Sequence, residues 1–278
     1  MSARSYLFVP ADRPERYAKA LASGADAVIV DLEDAVAPAA KERARATLAA
    51  WLDGGGAGIV VRINAAASPE FDADLAIAAR PGVVAVVVAK AERVEGLARV
   101  RAAAPAAALL PLIETAAGID RVREIAGAPG VQRLVFGSID LQLDLGVEGD
   151  GDELLVFRSA LVLASRLAGL DAPVDGVSTA IDDAAALDAD TRRARRLGFG
   201  AKLCIHPRQV AVVHAAFAPS ADELAWAGRV VAAAAAAAGG AVAVDGRMVD
   251  RPVLLRAQAL LARTRADQIL SGSKPVSL

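Results

Sequence analysis

The stretch DAVIVDLE, residues 26–33, carries the clearest indication of the fold. Its apolar residues run without alternation, which is typical of a strand buried on both faces of a parallel sheet. The run ends in acidic residues, because Asp31 and Glu33 are followed directly by Asp34. Parallel sheets carry their functional groups at the carboxyl ends of the strands, so this segment predicts both a buried strand and a polar site.

Seven more segments share this character, and helical segments separate them, which predicts a parallel sheet. Eight such units in 278 residues fit a (β/α)8 TIM barrel. A doubly wound open sheet is the alternative, but no G-x-G-x-x-G or G-x-x-x-x-G-K-[ST] phosphate motif occurs. The eight predicted strands cover residues 5–10, 26–33, 58–64, 83–90, 108–114, 133–140, 172–178 and 200–207.

The chain continues well beyond the eighth predicted strand. Residues 219–238 predict one long helix, the Asp245-Gly246 pair predicts a hairpin turn, and a last helix follows Pro252. We therefore predict a catalytic barrel domain at 1–218, a C-terminal helix and lid segment at 219–270, and a disordered tail at 271–278.

Composition narrows the possible functions. Hydrophobic residues make up 55% of the chain and the net charge is −2, which favours neither nucleic acid nor an anionic membrane surface. A single cysteine, Cys204, fits a reducing cytoplasm. Two histidines are too few for a His/Cys zinc site, so an expected metal is a hard cation bound by oxygen. The N-terminus lacks the features of a signal peptide, and the longest apolar run, 230–244, is too short to span a bilayer.

Polar or charged residues stand at the carboxyl ends of seven consecutive predicted strands. A lone acid after a strand is usually a surface charge. A whole rim of such residues at the carboxyl end of a barrel instead indicates an active site. The rim residues are Asp31, Glu33, Asp34, Arg62, Asn64, Lys90, Glu114, Asp140, Asp175 and His206.

Glu114 and Asp140 follow neighbouring predicted strands, so their carboxylates can converge. Two carboxylates, completed by water and substrate oxygens, make a typical magnesium site. Two alternatives remain open: each acid could cap the helix that follows it, or the pair could be an acid/base couple of the glycosidase type. The low aromatic content of 4% argues against a sugar-stacking cleft.

Three basic residues are candidates for binding anions. The guanidinium of Arg62, at the end of the third strand, suits a substrate carboxylate, and it could also pair with the acids of the second strand. Both can hold together if one edge is anchored and the other stays free. Arg16 and Lys19 lie three residues apart on one face of the first helix, either as an anion site or as a solvated face.

Longer motifs give a resemblance to a known family. Residues 4–38 resemble the start of citrate lyase β-subunit-like proteins in the HpcH/HpaI aldolase superfamily. The likeness continues in the same order through nearly the whole chain. It includes VVRIN (60–64), LPLIETAAG (110–118), FGSIDLQLDLG (136–146), DGV (175–177) and GAKLCIHPRQV (200–210).

The resemblance implies a barrel, commonly trimeric, that uses Mg2+, with Mn2+ as a possible substitute, and a CoA thioester substrate. It makes Glu114 and Asp140 the metal ligands, and it makes Arg62 the residue that binds the carboxylate or thioester oxygen. The residues that it implies for CoA contact are Phe8, Arg16 and Lys19. Three positions depart from the family pattern: Ala11, Ala89 before Lys90, and Ile139 before the metal aspartate.

The tail adds a further likeness. GRMVDRPVLLRAQ (246–258) resembles the lid of malyl-CoA and citramalyl-CoA lyases, which implies that Asp250 is a catalytic aspartate. In those relatives the lid acts on the site of a neighbouring subunit. A helix cap before Pro252 is the alternative role of Asp250. In this scheme Glu33 and Asp34 would fix Arg62 and a bound water, and Asp31 would support the strand end.

These features predict an Mg2+-dependent carbon–carbon lyase or aldolase acting on malyl-, citramalyl- or citryl-CoA-type thioesters through an acetyl-CoA enolate. Its partners would be a CoA thioester and small 2-oxo acids. A CoA-thioester hydrolase and an Mg2+-dependent 2-oxo acid aldolase on the same fold are alternatives. A Schiff-base aldolase would instead need Lys90 or Lys202 as nucleophile. A non-catalytic binding subunit is the alternative from another class.

Overall fold

The computed structural model describes residues 3–237 and 242–271, with side chains described as far as residue 262. The chain divides into two compact units, Ser2–Phe217 and a second unit that begins at Ala218, and each is described by itself. Residues 272–278 of the tail predicted to be disordered lie outside the described residues, and Ser271 ends a helix.

Eight parallel strands of the first unit close into a barrel in chain order, which confirms the predicted (β/α)8 fold. Their continuous apolar sequences suit a sheet that is covered on both faces. The strands are β1 (Ser5–Pro10), β2 (Ala27–Asp31), β3 (Ile59–Ile63), β4 (Val83–Val88), β5 (Ala108–Ile113), β6 (Val135–Phe136), β7 (Val174–Asp175) and β8 (Ala201–Cys204).

Helices follow each strand and surround the barrel. Single 3-10 turns at Pro14–Arg16, Pro38–Ala40 and Asp152–Leu154 precede three of them. The helices are α1 (Tyr17–Leu21), α2 (Lys41–Asp53), α3 (Phe71–Ala78), α4 (Val94–Ala103), α5 (Ala116–Asp120), α6 (Val122–Ala126), α7 (Ser138–Leu145), α8 (Leu155–Leu167), α9 (Ala184–Leu197) and α10 (Arg208–Phe217).

Alternate strand residues point into the barrel, and this periodicity places the polar rim. Ile29 of β2 and Val60 of β3 are neighbours in register inside the barrel core. Two residues further on, Asp31 and Arg62 are again neighbours in register, so their side chains share the inward face at the carboxyl end. The same step on β5 leads from the buried inward Leu112 to Glu114.

A buried arginine occupies the opposite end of the barrel. Arg133 is 1% exposed and precedes β6. Its guanidinium donates hydrogen bonds to the carbonyl oxygens of Ala3 and Ala172, which lie just before β1 and β7. It also lies over the ring of Tyr6. Three chain segments are therefore joined at the amino-terminal ends of the strands.

The predicted sixth and seventh strands are longer than the observed ones. β6 and β7 contain two residues each, because Gly137 begins a turn into α7 and Gly176 follows β7 directly. Asp140 was expected at the end of a strand, but it lies in the first turn of α7. The helix begins early because Gly137 can serve as its N-cap.

The second unit contains two helices and a hairpin: α11 (Ala221–Ala236), β9 (Val242–Val244), β10 (Arg247–Val249) and α12 (Arg251–Ser271). Ser220 and Glu223 form a capping box at the start of α11. The predicted hairpin turn is confirmed, since β9 and β10 are antiparallel and both Asp245 and Gly246 have positive φ. Within the described residues, no helix has the combined length and apolar character that a bilayer crossing requires.

Candidate active site

Arg62 is the centre of an ionic network at the carboxyl ends of β2 and β3. Its Nε and one terminal nitrogen donate to the two carboxylate oxygens of Asp31 at 2.7 and 2.5 Å. Its other terminal nitrogen lies 3.1 Å from Glu33. Although burial alone would lower the pKa of Arg62, Asp31 and Glu33 raise it, so the guanidinium stays charged. The edge of Arg62 that was expected to be free therefore has a carboxylate beside it.

Asp31 has a larger role than sequence reasoning assigned to it. It was expected to support the strand end, and it does so by accepting hydrogen bonds from the amides of Glu33 and Ala35. It is also the bidentate partner of Arg62, a role that the sequence analysis gave to Glu33 and Asp34. The parallel register explains this result, because Asp31 and Arg62 are direct cross-strand neighbours.

Asp34 was wrongly predicted to fix Arg62. It lies beyond the end of β2 in the following turn, its side chain is 58% exposed, and its nearest cation is Lys90, at 3.8 Å. Among the described contacts of Arg62, none involves Asp34. Asp34 instead borders the cavity at the mouth of the barrel.

Two lysine side chains stabilise this turn, and sequence reasoning had given Lys41 no role and Lys90 a different one. Lys41, at the start of α2, donates to the carbonyl oxygens of Leu32 and Glu33 and to the side chain of Asn64. Lys90 donates to Glu33 at 2.6 Å. Because Lys41 belongs to no recognisable motif, the sequence offered no signal for this role.

Glu114 is a buried carboxylate in a different electrostatic setting. It follows β5 directly, is 1% exposed, and accepts a hydrogen bond of 2.8 Å from the backbone amide of Lys90. Burial raises the pKa of Glu114 to about 8, and repulsion from Asp140 adds to the shift. A deprotonated Glu114 therefore needs more positive charge than the described protein groups supply.

Glu114 and Asp140 do not act as helix N-caps, which was one alternative for them. Thr115 caps α5 through its side chain, and Gly137 occupies the N-cap position of α7. Both carboxylates line one cavity of about 250 Å3. Their side chains therefore face a common space that could admit a ligand.

This cavity lies at the carboxyl-terminal mouth of the barrel and brings together the predicted metal acids, Arg62 and Phe8. Its polar walls come from β2, β3, β5 and α7, and Phe8 of β1 stacks against Arg62 with 4.7 Å between the guanidinium carbon and the ring centre. The cavity residues are Phe8, Asp31, Asp34, Ala35, Arg62, Leu112, Glu114, Phe136, Gly137, Ser138, Ile139, Asp140, Val177, Leu203 and Ile205.

The donor set fits a magnesium ion better than a metal held by protein ligands alone. Within the described ranges, no group of three or more His, Cys, Asp and Glu side chains forms a metal-binding cluster. Mg2+ commonly uses one or two carboxylates and completes its shell with water and substrate oxygens. Gly137 keeps space beside the carboxylate, because a Cβ there would lie 2.5 Å from Glu114 Oε2.

Five of the ten rim residues do not line the cavity: Glu33, Asn64, Lys90, Asp175 and His206. Asp175 is buried in an ion cluster, where it accepts a hydrogen bond of 2.8 Å from Arg158 and lies 3.3 Å from the amine of Lys202. His206 is partly exposed and accepts a hydrogen bond from the amide of Arg208. The strand-end positions of Asp175 and His206 were predicted, but the partners of Asp175 come from distant segments of the chain, whereas His206 bonds within its own turn.

The two lysines proposed for Schiff-base chemistry are both engaged in ion pairs. Lys202 is fully buried against Asp175 and the carbonyl oxygen of Gly176. Burial alone would lower the pKa of Lys90, but its hydrogen bond to Glu33 and the charge of Glu114 raise it. A nucleophilic lysine needs the opposite shift, so this geometry does not favour a Schiff-base aldolase.

The remaining predicted residues lie outside the cavity lining. Arg16 ends a 3-10 turn and Lys19 lies in α1, both with exposed side chains. Asp250 belongs to the second unit, and its carboxylate accepts a hydrogen bond of 3.2 Å from the amide of Val253 in α12. The capping role of Asp250 is therefore present, and this interaction leaves its catalytic role untested.

The fold and the site together define a class: a (β/α)8 protein whose mouth offers a cation for an anionic substrate and carboxylates for a hard metal ion. The chain belongs to the HpcH/HpaI aldolase/citrate lyase family, since residues 4–207 match the model of that family. This result agrees with the resemblance of the sequence motifs to citrate lyase β-like proteins.

Individual relatives align over almost the whole chain. A citrate lyase subunit beta-like protein of Deinococcus radiodurans is 40% identical, with 93% of this chain and 96% of the relative covered. A (3S)-malyl-CoA thioesterase of Cereibacter sphaeroides is 35% identical, with 95% of each covered. A citrate lyase beta-like protein and a thioesterase therefore lie at similar sequence distance from this chain.

Among solved structures, CitE of Mycobacterium tuberculosis in complex with magnesium, acetoacetate and coenzyme A superposes with a TM-score of 0.85. It is 39% identical, and 94% of this chain and 98% of that chain are covered. Magnesium, the cofactor expected from the sequence, is thus the ion held by a close structural relative.

Proposed function

We propose that this protein is an Mg2+-dependent carbon–carbon lyase that acts on the CoA thioester of a hydroxy-dicarboxylic or tricarboxylic acid. The observation that carries the proposal is the convergence of Arg62, Glu114 and Asp140 on one cavity at the barrel mouth. An arginine suits a carboxylate, and two acids suit a hard cation. A 2-oxo acid, or the 2-hydroxy acid formed from it, carries a carboxylate for the arginine and oxygen atoms for the cation.

Arg62 would bind the carboxylate or thioester oxygen of the substrate. Asp31 holds its guanidinium by two hydrogen bonds, which fixes the plane of the fork before substrate arrives. A charged and oriented donor can stabilise an oxygen that gains negative charge during cleavage. Glu33 and Asp34 would complete this charged wall, Glu33 beside Arg62 and Asp34 at the cavity edge.

Glu114 and Asp140 would hold the cation, with Mn2+ as a substitute for Mg2+. When bound there, the ion supplies Lewis acidity and orients the substrate oxygens. The amide of Lys90 keeps one oxygen of Glu114 in place, and Gly137 leaves room beside the other. The buried apolar residues Leu112 and Phe136 lower the water content around both acids.

Two further residue roles come from the family resemblance. Phe8, Arg16 and Lys19 would contact CoA, and the exposed cations suit its phosphate groups. Asp250 would remove a proton from the acetyl-CoA methyl group in the condensation direction. We also propose a cytoplasmic homotrimer, in which a lid acts on the site of a neighbouring subunit.

A substrate screen tests the proposal. Acetyl-CoA and propionyl-CoA are each incubated with glyoxylate, pyruvate or oxaloacetate and Mg2+, and the products are separated by mass. We expect a new C–C bond with at least one pair and loss of activity in the presence of chelator. Equal product without metal would refute the metal assignment, and the absence of any condensation or cleavage would refute the lyase.

Thioester hydrolysis is a second candidate, because the relative from Cereibacter sphaeroides that is 35% identical is a (3S)-malyl-CoA thioesterase. The same Arg62 and carboxylate wall could bind the acyl group while water attacks the thioester. Free CoA together with an intact hydroxy acid would indicate the hydrolase. Acetyl-CoA together with a 2-oxo acid would indicate the lyase.

A further inference from the structure

Lys90 has an unusual backbone conformation at the centre of the site. Its φ is +46°, in the left-handed region that residues with a side chain seldom adopt. This conformation follows β4 and directs the backbone amide to Glu114 Oε1 at 2.8 Å. A non-glycine residue is usually held in this region only where surrounding contacts over-determine it.

The side chain of Lys90 turns toward a different carboxylate. Its amine lies 2.6 Å from Glu33, which is 5% exposed and also lies 3.1 Å from Arg62. The remaining acid within reach is Asp34, at 3.8 Å. One residue therefore connects the cation-binding acid Glu114, through its amide, with the substrate-binding Arg62, through Glu33.

The amine does not line the catalytic cavity. Lys90 borders a neighbouring cavity of about 430 Å3 between the segments that follow β3 and β4, lined also by Ala66 and Arg93. Glu33 is likewise absent from the residues that line the catalytic cavity. Because Glu33 contacts both the amine and Arg62, it is the shortest contact path from the amine to the substrate-binding guanidinium.

We infer that Lys90 is a positioning residue that sets the substrate affinity of Arg62 by sharing the charge of Glu33. This inference rests on the proposed function. Glu33 lies beside two cations, Lys90 and Arg62, so its attraction for the Arg62 guanidinium is shared with the amine. If the amine is removed, the buried carboxylate keeps only Arg62 and draws its terminal nitrogen away from the substrate. The backbone amide, and with it Glu114, stays in place.

The test separates the effect of the Lys90 amine on substrate binding from the effect of the Lys90 backbone amide on Glu114. Lys90→Met removes the amine and keeps a side chain of similar length. We expect the KM for the 2-oxo acid to rise about tenfold and kcat to change less than about threefold, as for lost substrate binding. Calorimetric titration with Mg2+ alone should give a Kd within about twofold of the wild type, because the amide is retained.

A second substitution distinguishes indirect from direct action. In Lys90→Met/Glu33→Gln the uncompensated carboxylate is removed, so the KM should fall back toward the wild-type value. Lys90→Arg should also restore affinity. Arg43→Met removes an exposed positive charge from α2 and controls for the change in net charge. A double variant as weak as Lys90→Met, or a Lys90→Met enzyme with wild-type KM, would overturn the inference.

Failure of the proposed function gives a different result. If the wild type forms and cleaves no C–C bond, the same comparison is made by titrating pyruvate or oxaloacetate into the Mg2+-loaded protein. Tenfold weaker binding to Lys90→Met, restored in the double variant, would then support Lys90 without a lyase. Equal binding to all variants would overturn it. Circular dichroism melts show whether each variant is folded.

Discussion

Two buried acids at the carboxyl ends of barrel strands, Asp175 on β7 and Glu114 after β5, have opposite electrostatic settings. Asp175 lies between Arg158 and Lys202, and although burial alone would raise its pKa, these two cations lower it below the usual range. Glu114 has a backbone amide and a nearby acid, and its pKa is raised to about 8. Equal burial thus produces a satisfied ion cluster in one place and a carboxylate that still needs a cation in the other.

The comparison separates a structural acid from a ligand-binding acid. Removal of Asp175 should damage folding, because it leaves buried Lys202 without a carboxylate and buried Arg158 with Asp150 as its remaining acid. Removal of the charge of Glu114 should damage function while the fold survives. Strand-end position alone would have grouped the two residues together.

The largest expected effect follows from Asp175→Asn. Because buried Lys202 would lose its carboxylate and buried Arg158 would lose one of its two, we expect a loss of about 3–5 kcal/mol in the free energy of unfolding. Urea denaturation measures it. Asp182→Asn, which breaks an exposed pair with Arg208, should change stability by less than about 0.5 kcal/mol. Similar losses in both variants would show that the buried cluster has no special structural role.

Glu114→Gln should show the opposite pattern. We expect unfolding free energy within about 1 kcal/mol of the wild type, since a carboxyl with a pKa of about 8 is largely neutral at pH 7 and glutamine has nearly the same shape. Activity should fall at least about 100-fold, because the site loses a ligand for its cation. Initial rates with Mg2+ provide the measurement, and Glu124→Gln, an exposed acid on α6, is the control. Retained activity would make Glu114 another structural acid.

Metal addition sharpens the same contrast. Because a ligand that binds only the folded state stabilises it, Mg2+ at about 100 times its Kd should add about 2.7 kcal/mol to wild-type stability. Glu114→Gln should gain much less from the same Mg2+ concentration. Thermal melts with Mg2+ and with chelator measure the difference. An equal gain in both proteins would place the ion elsewhere.

A smaller, pH-dependent effect is expected at the amino-terminal end of the barrel. Burial alone would raise the pKa of Asp26, but hydrogen bonds from His214 and from the amides of Arg4 and Ser5 lower it from 3.8 to about 2. A lowered folded-state pKa gives stability that is present above pH 3.8 and is lost as the pH falls through 2. After allowance for its partial exposure, Asp26→Asn should cost about 1 kcal/mol at pH 7. Unfolding measured at pH 7 and at pH 2.5 should show the difference shrinking, and a constant difference would contradict it.

The sequence predicted those features that depend on local pattern. The strands were visible because continuous apolar runs suit a sheet covered on both faces, and the inward alternation placed Asp31, Arg62 and Glu114 at one end. The early end of β6 could not be predicted, because VFGSID is apolar enough to continue as a strand.

Contacts between distant segments were the part that the sequence could not supply. Whether an acid is paired depends on cations such as Arg158 and Lys202, which reach Asp175 from α8 and β8. The same limit explains why Asp34, which is next to Glu33 in sequence, was wrongly given a contact with Arg62. The left-handed turn at Lys90 also had no signal, since no glycine marks it.

The buried Arg133 at the amino-terminal end of the barrel has a consequence for how substrates enter and products leave. Passage through that end would require breaking its hydrogen bonds to two strand-flanking segments, so both substrates of the proposed reaction must share the mouth where Arg62 and Glu114 lie. If the two substrates bind through this single opening, the one that lies deeper in the cavity binds first and its product leaves last. The order of product release would then be a property of the barrel itself, readable as a pattern of product inhibition.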